Sequence, residues 1–176
     1  MGIADFLKKL FPPGKNPLLA LEPQCLRHVF LTLRLPQGWQ FTGHNDSRMF
    51  KATGPGGAAA ELSIAPAFNQ RVEAKNAEQN RAQFVKVMRD HVFKGRKPSE
   101  EVLSTGVLWM EAKDVQGGNE RLEVVLFHPQ SRSPERLGQP TRLQITCTLP
   151  QGSADAAFRA ERFEALRAAL RAVEWN

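Results

Sequence analysis

Tyrosine is absent from this 176-residue chain, aromatic residues make up only 8%, and cysteine occurs twice. Cys25 and Cys147 cannot build a disulfide framework, and neither sits in a CxxC or histidine-bearing metal pattern. Cys147 alternates with Leu143, Ile145 and Leu149, which reads as a buried strand thiol, whereas Cys25 lies in an entry segment where exposure is open to it. No run approaches the roughly 20 apolar residues that span a bilayer. The opening apolar residues are interrupted by Asp5, Lys8 and Lys9, so they do not form a secretory signal, and a cytoplasmic protein is the expectation.

Recognisable catalytic motifs are missing as well. Gly54-Pro55-Gly56-Gly57 lacks the Gly-Lys-Ser/Thr ending of a phosphate loop and precedes a strand rather than a helix. His44-Asn45-Asp46-Ser47 holds the residue types of a hydrolytic triad, but a triad needs side chains that converge from separate elements. These four read as turn formers, and His44 with Asp46 supplies too few ligands for a metal. His28, His91 and His128 are scattered at element boundaries. No catalytic residue, metal or cofactor is expected.

What the chain does have is a hydrophobic content of 41% and a charged content of 24%, ordinary for one soluble domain with one core. Its net charge of +6 is unevenly spread. Arg71 to Lys97 holds eight basic residues against three acids, so five of the six surplus charges fall there. Lys75, Lys86, Arg89, Lys94, Arg96 and Lys97 therefore mark a basic face, which Arg132 and Arg136 in the Pro-rich arm 129–140 extend. Such a face suits an acidic protein surface. It also meets the charge requirement for nucleic acid, yet no groove-reading motif accompanies it.

The periodicity gives the element order. Ile3, Phe6, Leu7, Leu10 and Phe11 recur at helical spacing, ended by Pro12-Pro13-Gly14. A helix this short must dock on something. We read its apolar face as packing on its own domain, then as a protein contact, and last as a membrane-surface contact with Lys8 and Lys9 near lipid phosphates. Residues 1–17 form this helix and its linker, and 18–176 form the domain.

The spacing predicts strands over His28–Leu35, Trp39–Thr42, Arg48–Thr53 and Ala60–Ala65. A helix follows, with Ala77, Phe84, Val85, Met88 and Val92 as its stripe, Asn76 as its cap and Gly95 as its stop. Strands follow over Val102–Ala112, Glu120–Phe127 and Arg142–Leu149. A last helix presents Phe158, Phe163, Leu166, Leu170 and Val173. This is an α+β chain, and its exposed strand edges and N-terminal helix also allow a homodimer.

Leu35-Pro36-Gln37-Gly38-Trp39 after the first strand, the helix near 76–93, Gly106 to Glu111 around Trp109, and the closing helix together resemble the PsbP-like superfamily. That group includes PsbP, the Ran-binding Mog proteins, bacterial DcrB-like proteins and Eag-type secretion chaperones. The resemblance covers roughly residues 28–173 and implies an α/β/α sandwich with a mostly antiparallel central sheet flanked by two main helices. It also implies a non-catalytic protein-binding, adaptor or chaperone-like role. The alternatives left by the residues are a small-ligand or metal-binding protein, and a nucleic-acid binder using residues 71–97.

Overall fold

The computed structural model describes residues 19–67, 77–129, 139–153 and 156–176. The segment bearing Ile3, Phe6, Leu7, Leu10 and Phe11, the cap at Asn76, and Lys75, Arg132 and Arg136 lie outside those residues.

A seven-stranded, wholly antiparallel sheet forms the middle layer. Its strands are β4 (Gln40–Asn45), β5 (Met49–Thr53), β6 (Ala59–Pro66), β7 (Ser99–Val102), β8 (Leu108–Gln116), β9 (Asn119–His128) and β10 (Thr141–Pro150), in the spatial order β4-β5-β6-β10-β9-β8-β7. A smaller sheet, β1-β2-β3-β11, comprises β1 (Leu19–Leu21), β2 (Cys25–His28), β3 (Leu31–Arg34) and β11 (Glu174–Trp175). Helix α1 (Ala77–Met88) and helix α2 (Ala156–Arg171) cover opposite faces of the large sheet.

Alternation decides which residues each helix covers. Along β10, Leu143, Ile145, Cys147 and Leu149 are buried, while Arg142, Gln144, Thr146 and Thr148 between them are only half-buried. The first set joins Phe50, Leu62, Ile64, Leu122, Val124 and Leu126 in one core. Phe163, Leu166, Leu170 and Val173 of α2 and its C-terminal extension, with Leu26, Leu31 and Leu33 of the small sheet, close that core. The opposite face is built differently: among the described residues, α1 packs with Leu108, Met110, Ala112, Val125 and Phe127 of β8 and β9, and with Ala67 beside them. Met49, Lys51, Thr53 and Glu61 on β5 and β6 stay exposed on that side.

The corner at Leu35–Trp39 closes with the Trp39 N–H donating to Pro36 O at 3.0 Å. Trp39 is buried against Gly54, where a Cβ would stand 2.4 Å from the indole, so no residue with a side chain fits there.

Two expected strands are in fact hairpins. His28–Leu35 breaks at Val29 and Phe30, where the Phe30 N–H donates to His28 Nδ1 and turns the chain. Val102–Ala112 breaks at Ser104-Thr105-Gly106, with Gly106 at φ +80° and the Leu103 N–H bonded to Val107 O. The polar Ser-Thr-Gly run is a turn signal that outweighs the flanking apolar residues. Cys25 lies in β2 and is buried, with Arg34 Nη1 3.6 Å from its sulfur, while its neighbour Leu26 enters the main core.

Candidate docking face

Helix α1 buries Phe84 and Met88 on the sheet, and Phe84 stacks on Phe127 with ring centroids 4.4 Å apart. The helix then widens into a single π-helical turn over Arg89–Phe93, which seats Phe93 in the same cluster. Lys94 adopts a left-handed conformation at φ 41°, followed by Gly95, and the chain reverses.

That reversal fixes the role of Arg96. Its Nε donates to Phe93 O and its Nη2 to Val92 O, both at 3.0 Å, so it satisfies carbonyls at the helix end. Its Nη1 donates to Asp114 at 3.0 Å, and its Nη2 meets the buried Glu123. Arg121 donates to the same Glu123 carboxylate at 3.0 Å, and Gln144 Nε2 donates to its other oxygen at 3.0 Å. Arg96 is therefore a strut between helix and sheet. Its guanidinium is turned inward, away from the outer face to which its sequence neighbours assign it.

The remaining basic residues divide into two kinds. Arg89 is tied to Glu100 of β7 at 2.6 Å. Lys86, Lys94 and Lys97 are exposed, and no acid among the described residues pairs with them. They form the free part of the basic face.

Strand β7 is the outermost strand on this side and is exposed along its whole length. Each helix holds it from one face. Arg89 of the α1 segment takes Glu100, and Arg171 at the end of α2 takes Glu101 at 2.8 Å while lying 4.7 Å over the Trp109 ring. The hydrogen bond from Arg171 keeps the Glu101 carboxyl below its ordinary pKa. Arg167 grips both oxygens of Glu111, which also accepts from Trp109 Nε1 at 3.2 Å. That pairing raises the Arg167 pKa further. The Gly106–Glu111 segment thus joins the end of α2 to the sheet edge.

Between α1 and β7 runs a groove of about 490 Å³. Ala82, Val85, Val102 and Leu108 supply apolar surface, and Glu78, Arg81, Arg89, Glu100 and Glu101 are its charged residues. The sequence pattern does not reveal this groove, because three of the four β7 residues, Ser99-Glu100-Glu101, are polar and Val102 joins the apolar pattern of the strand after it. The Ser104-Thr105-Gly106 turn is the signal that would have revealed β7.

The other reactive residues are held in local roles. Asp46 Oδ1 accepts the Arg48 N–H at 2.6 Å, with Asp46 itself at φ 57°, as a turn former does. His44 lies against Phe50, at 6.1 Å between ring centroids. His28 is buried, donates from Nε2 to Ser47 O at 2.8 Å and accepts at Nδ1, so it is the neutral tautomer. Burial lowers its pKa, and the Ser47 hydrogen bond only partly opposes this. Burial also pushes the Cys147 thiol up to about 12, which leaves it no thiolate for chemistry. Among the described residues no group of three or more His, Cys, Asp or Glu side chains could hold a metal ion. No described helix is long and apolar enough to cross a membrane.

Three layers, an antiparallel central sheet and one helix on each face make this chain an α/β/α sandwich. LpqN, a Mycobacterium tuberculosis protein involved in cell envelope biogenesis, is similar in structure over 100% of this chain and 98% of its own, with TM-score 0.50 at 9% identity. The Saccharomyces cerevisiae Ran-binding protein Mog1p superposes at TM-score 0.47 and 10% identity, over 82% of this chain and 89% of its own. No protein-family model matches the sequence. The search of curated proteins likewise finds no match.

Proposed function

We propose that this chain is a non-catalytic protein-binding accessory, of adaptor or chaperone-like character, that receives an acidic partner on the outer side of α1 and the loop after it. The observation that carries this reading is the division of the basic residues. Arg89 and Arg96 are each paired with acids of this chain, while Lys86, Lys94 and Lys97 stand exposed without an acid among the described residues. Cations left unpaired beside one another attract a surface of opposite charge and speed its encounter. Lys75, Arg132 and Arg136 extend the same face in this proposal.

The test is capture from native lysate at low salt, using the full chain and a Lys86→Glu/Lys94→Glu/Lys97→Glu variant in parallel. An acidic protein should be retained in stoichiometric amount by the first, released by salt, and absent from the second. Equal retention by both would overturn the reading. Retention of material that nuclease removes would transfer the face to nucleic acid.

A further inference from the structure

The groove between α1 and β7 has the two walls of an extended-peptide site: one helix and one free sheet edge. In an antiparallel pair, residues alternate between pointing both backbone groups at the partner strand and pointing both away. The Leu103 N–H donates to Val107 O, and β7 pairs with β8 in the same register, Glu101 opposite Trp109 and Ser99 opposite Glu111. Ser99, Glu101 and Leu103 therefore face β8. The N–H and C=O groups of Glu100 and Val102 face outward, and no described strand takes them. The side chains of the same two residues line the groove, where Val102 is 48% exposed beside Ala82, Val85 and Leu108.

The groove is lined by three acids and two bases, so an unsatisfied donor rather than net charge selects the occupant. Glu100 and Glu101 are already held by Arg89 and Arg171. Arg81 is half-buried, and its Nε is enclosed with no hydrogen-bond partner. A buried N–H left without an acceptor is costly, so a carboxylate that reaches this Nε gains more than one at an open surface. A second copy of this chain does not supply it from its own β7, since the carboxylates there, Glu100 and Glu101, are already held by Arg89 and Arg171. The chain's own segments do not supply it either. Residues 1–18 carry Lys8, Lys9 and Lys15 against Asp5, 68–76 carry Arg71 and Lys75 against Glu73, and 130–138 carry Arg132 and Arg136 against Glu135, so each is basic on balance.

We infer that β7 accepts an extended, acid-bearing peptide segment of a partner protein as an eighth strand, with apolar side chains in the α1–β7 groove and a carboxylate on Arg81. This rests on the reading that the α1 side binds protein, and it names the mode and the peptide class.

The probe is a fluorescent peptide whose alternate positions read aspartate, valine, valine, aspartate, with threonine at the positions between. The two ends are chemically alike, so either strand direction is served. A control peptide carries lysine in place of aspartate. Binding to the full chain is read by anisotropy. The acidic peptide should bind, and the lysine peptide at least tenfold more weakly. Val102→Pro removes an outward N–H and leaves the pairing to β8 intact, so the variant should keep its fold by circular dichroism and lose binding at least tenfold. Arg81→Gln should weaken the acidic peptide and leave the difference between the two peptides small.

No binding of the acidic peptide at millimolar concentration, or unchanged binding by a folded Val102→Pro protein, would overturn the inference. The wider reading fails separately. A natural partner lost on Lys86→Glu/Lys94→Glu/Lys97→Glu but kept on Val102→Pro would leave an acidic docking face without strand addition.

Discussion

The two faces of the seven-stranded sheet are assembled on different physical terms. The face under α2 and the small sheet is a continuous apolar core drawn from β4, β5, β6, β8, β9 and β10. Among the described residues, the face under α1 has a small apolar patch drawn mainly from β8 and β9, a buried carboxylate held by Arg96 and Arg121, and an exposed stretch over β5 and β6. Hydrophobic burial is non-directional and scales with area, so the first face supplies most of the stability. The second face is where directional groups accumulate and where an edge strand and unpaired lysines stay available. On the proposed function, stability and recognition are placed on opposite sides of one sheet.

The largest expected effect comes from breaking the first face. Phe163→Ala empties a fully buried site under α2 and should cost about 4 kcal/mol in denaturant unfolding of the full chain. A loss below about 1 kcal/mol would mean that α2 does not close the core. Next is the ionic strut on the second face. Glu123→Ala leaves Arg96 and Arg121 without their shared carboxylate, and the loss should be about 3 kcal/mol. Adding Arg96→Ala should then cost less than it does in the wild-type chain, because the two residues act as a unit. Strictly additive costs would show that the strut is not coupled.

A smaller effect follows from His28, where the small sheet meets the β4–β5 turn. Its folded pKa lies below the value near 6.5 of the unfolded chain, so the unfolded chain binds the proton more readily. The contribution is complete above the unfolded pKa and is lost as pH falls below it, with a slope of at most about 1.4 kcal/mol per pH unit. Unfolding measured from pH 7.5 down to 5.5 should show this slope, and His28→Gln should flatten it. The smallest effect belongs to the free lysines. Lys86→Glu/Lys94→Glu should change stability by no more than about 0.5 kcal/mol, since neither residue holds another part of the fold. A larger change would mean that the basic face is part of the scaffold.

Much of the first face was legible in the sequence. The alternation along β10 and the stripe Phe163, Leu166, Leu170 and Val173 named the buried residues directly, because burial on one side of a strand or helix imposes a period. The corner at Trp39 was legible through its proline and glycine. The second face was less so. The turn at Val29–Phe30 is made of apolar residues and carries no turn signature, its support being the ring nitrogen of His28. The role of Arg96 depends on the left-handed Lys94 and on a carboxylate 27 residues away, neither of which local spacing records. The basic residues were counted correctly, but the count could not tell those turned inward from those left outside. The edge strand β7 was hidden because Ser99-Glu100-Glu101-Val102 is exposed throughout and carries no apolar alternation.

The account stands most directly on the freedom of the β7 edge. Amide hydrogen exchange, followed residue by residue by NMR on the full chain, reads it without any variant. The Glu100 and Val102 amides should exchange fast in the free protein and slow sharply with the acidic peptide, while the Glu101 amide, bonded to β8, is protected in both. Slow exchange at Glu100 and Val102 in the free protein, or no slowing when the peptide is bound, would contradict it.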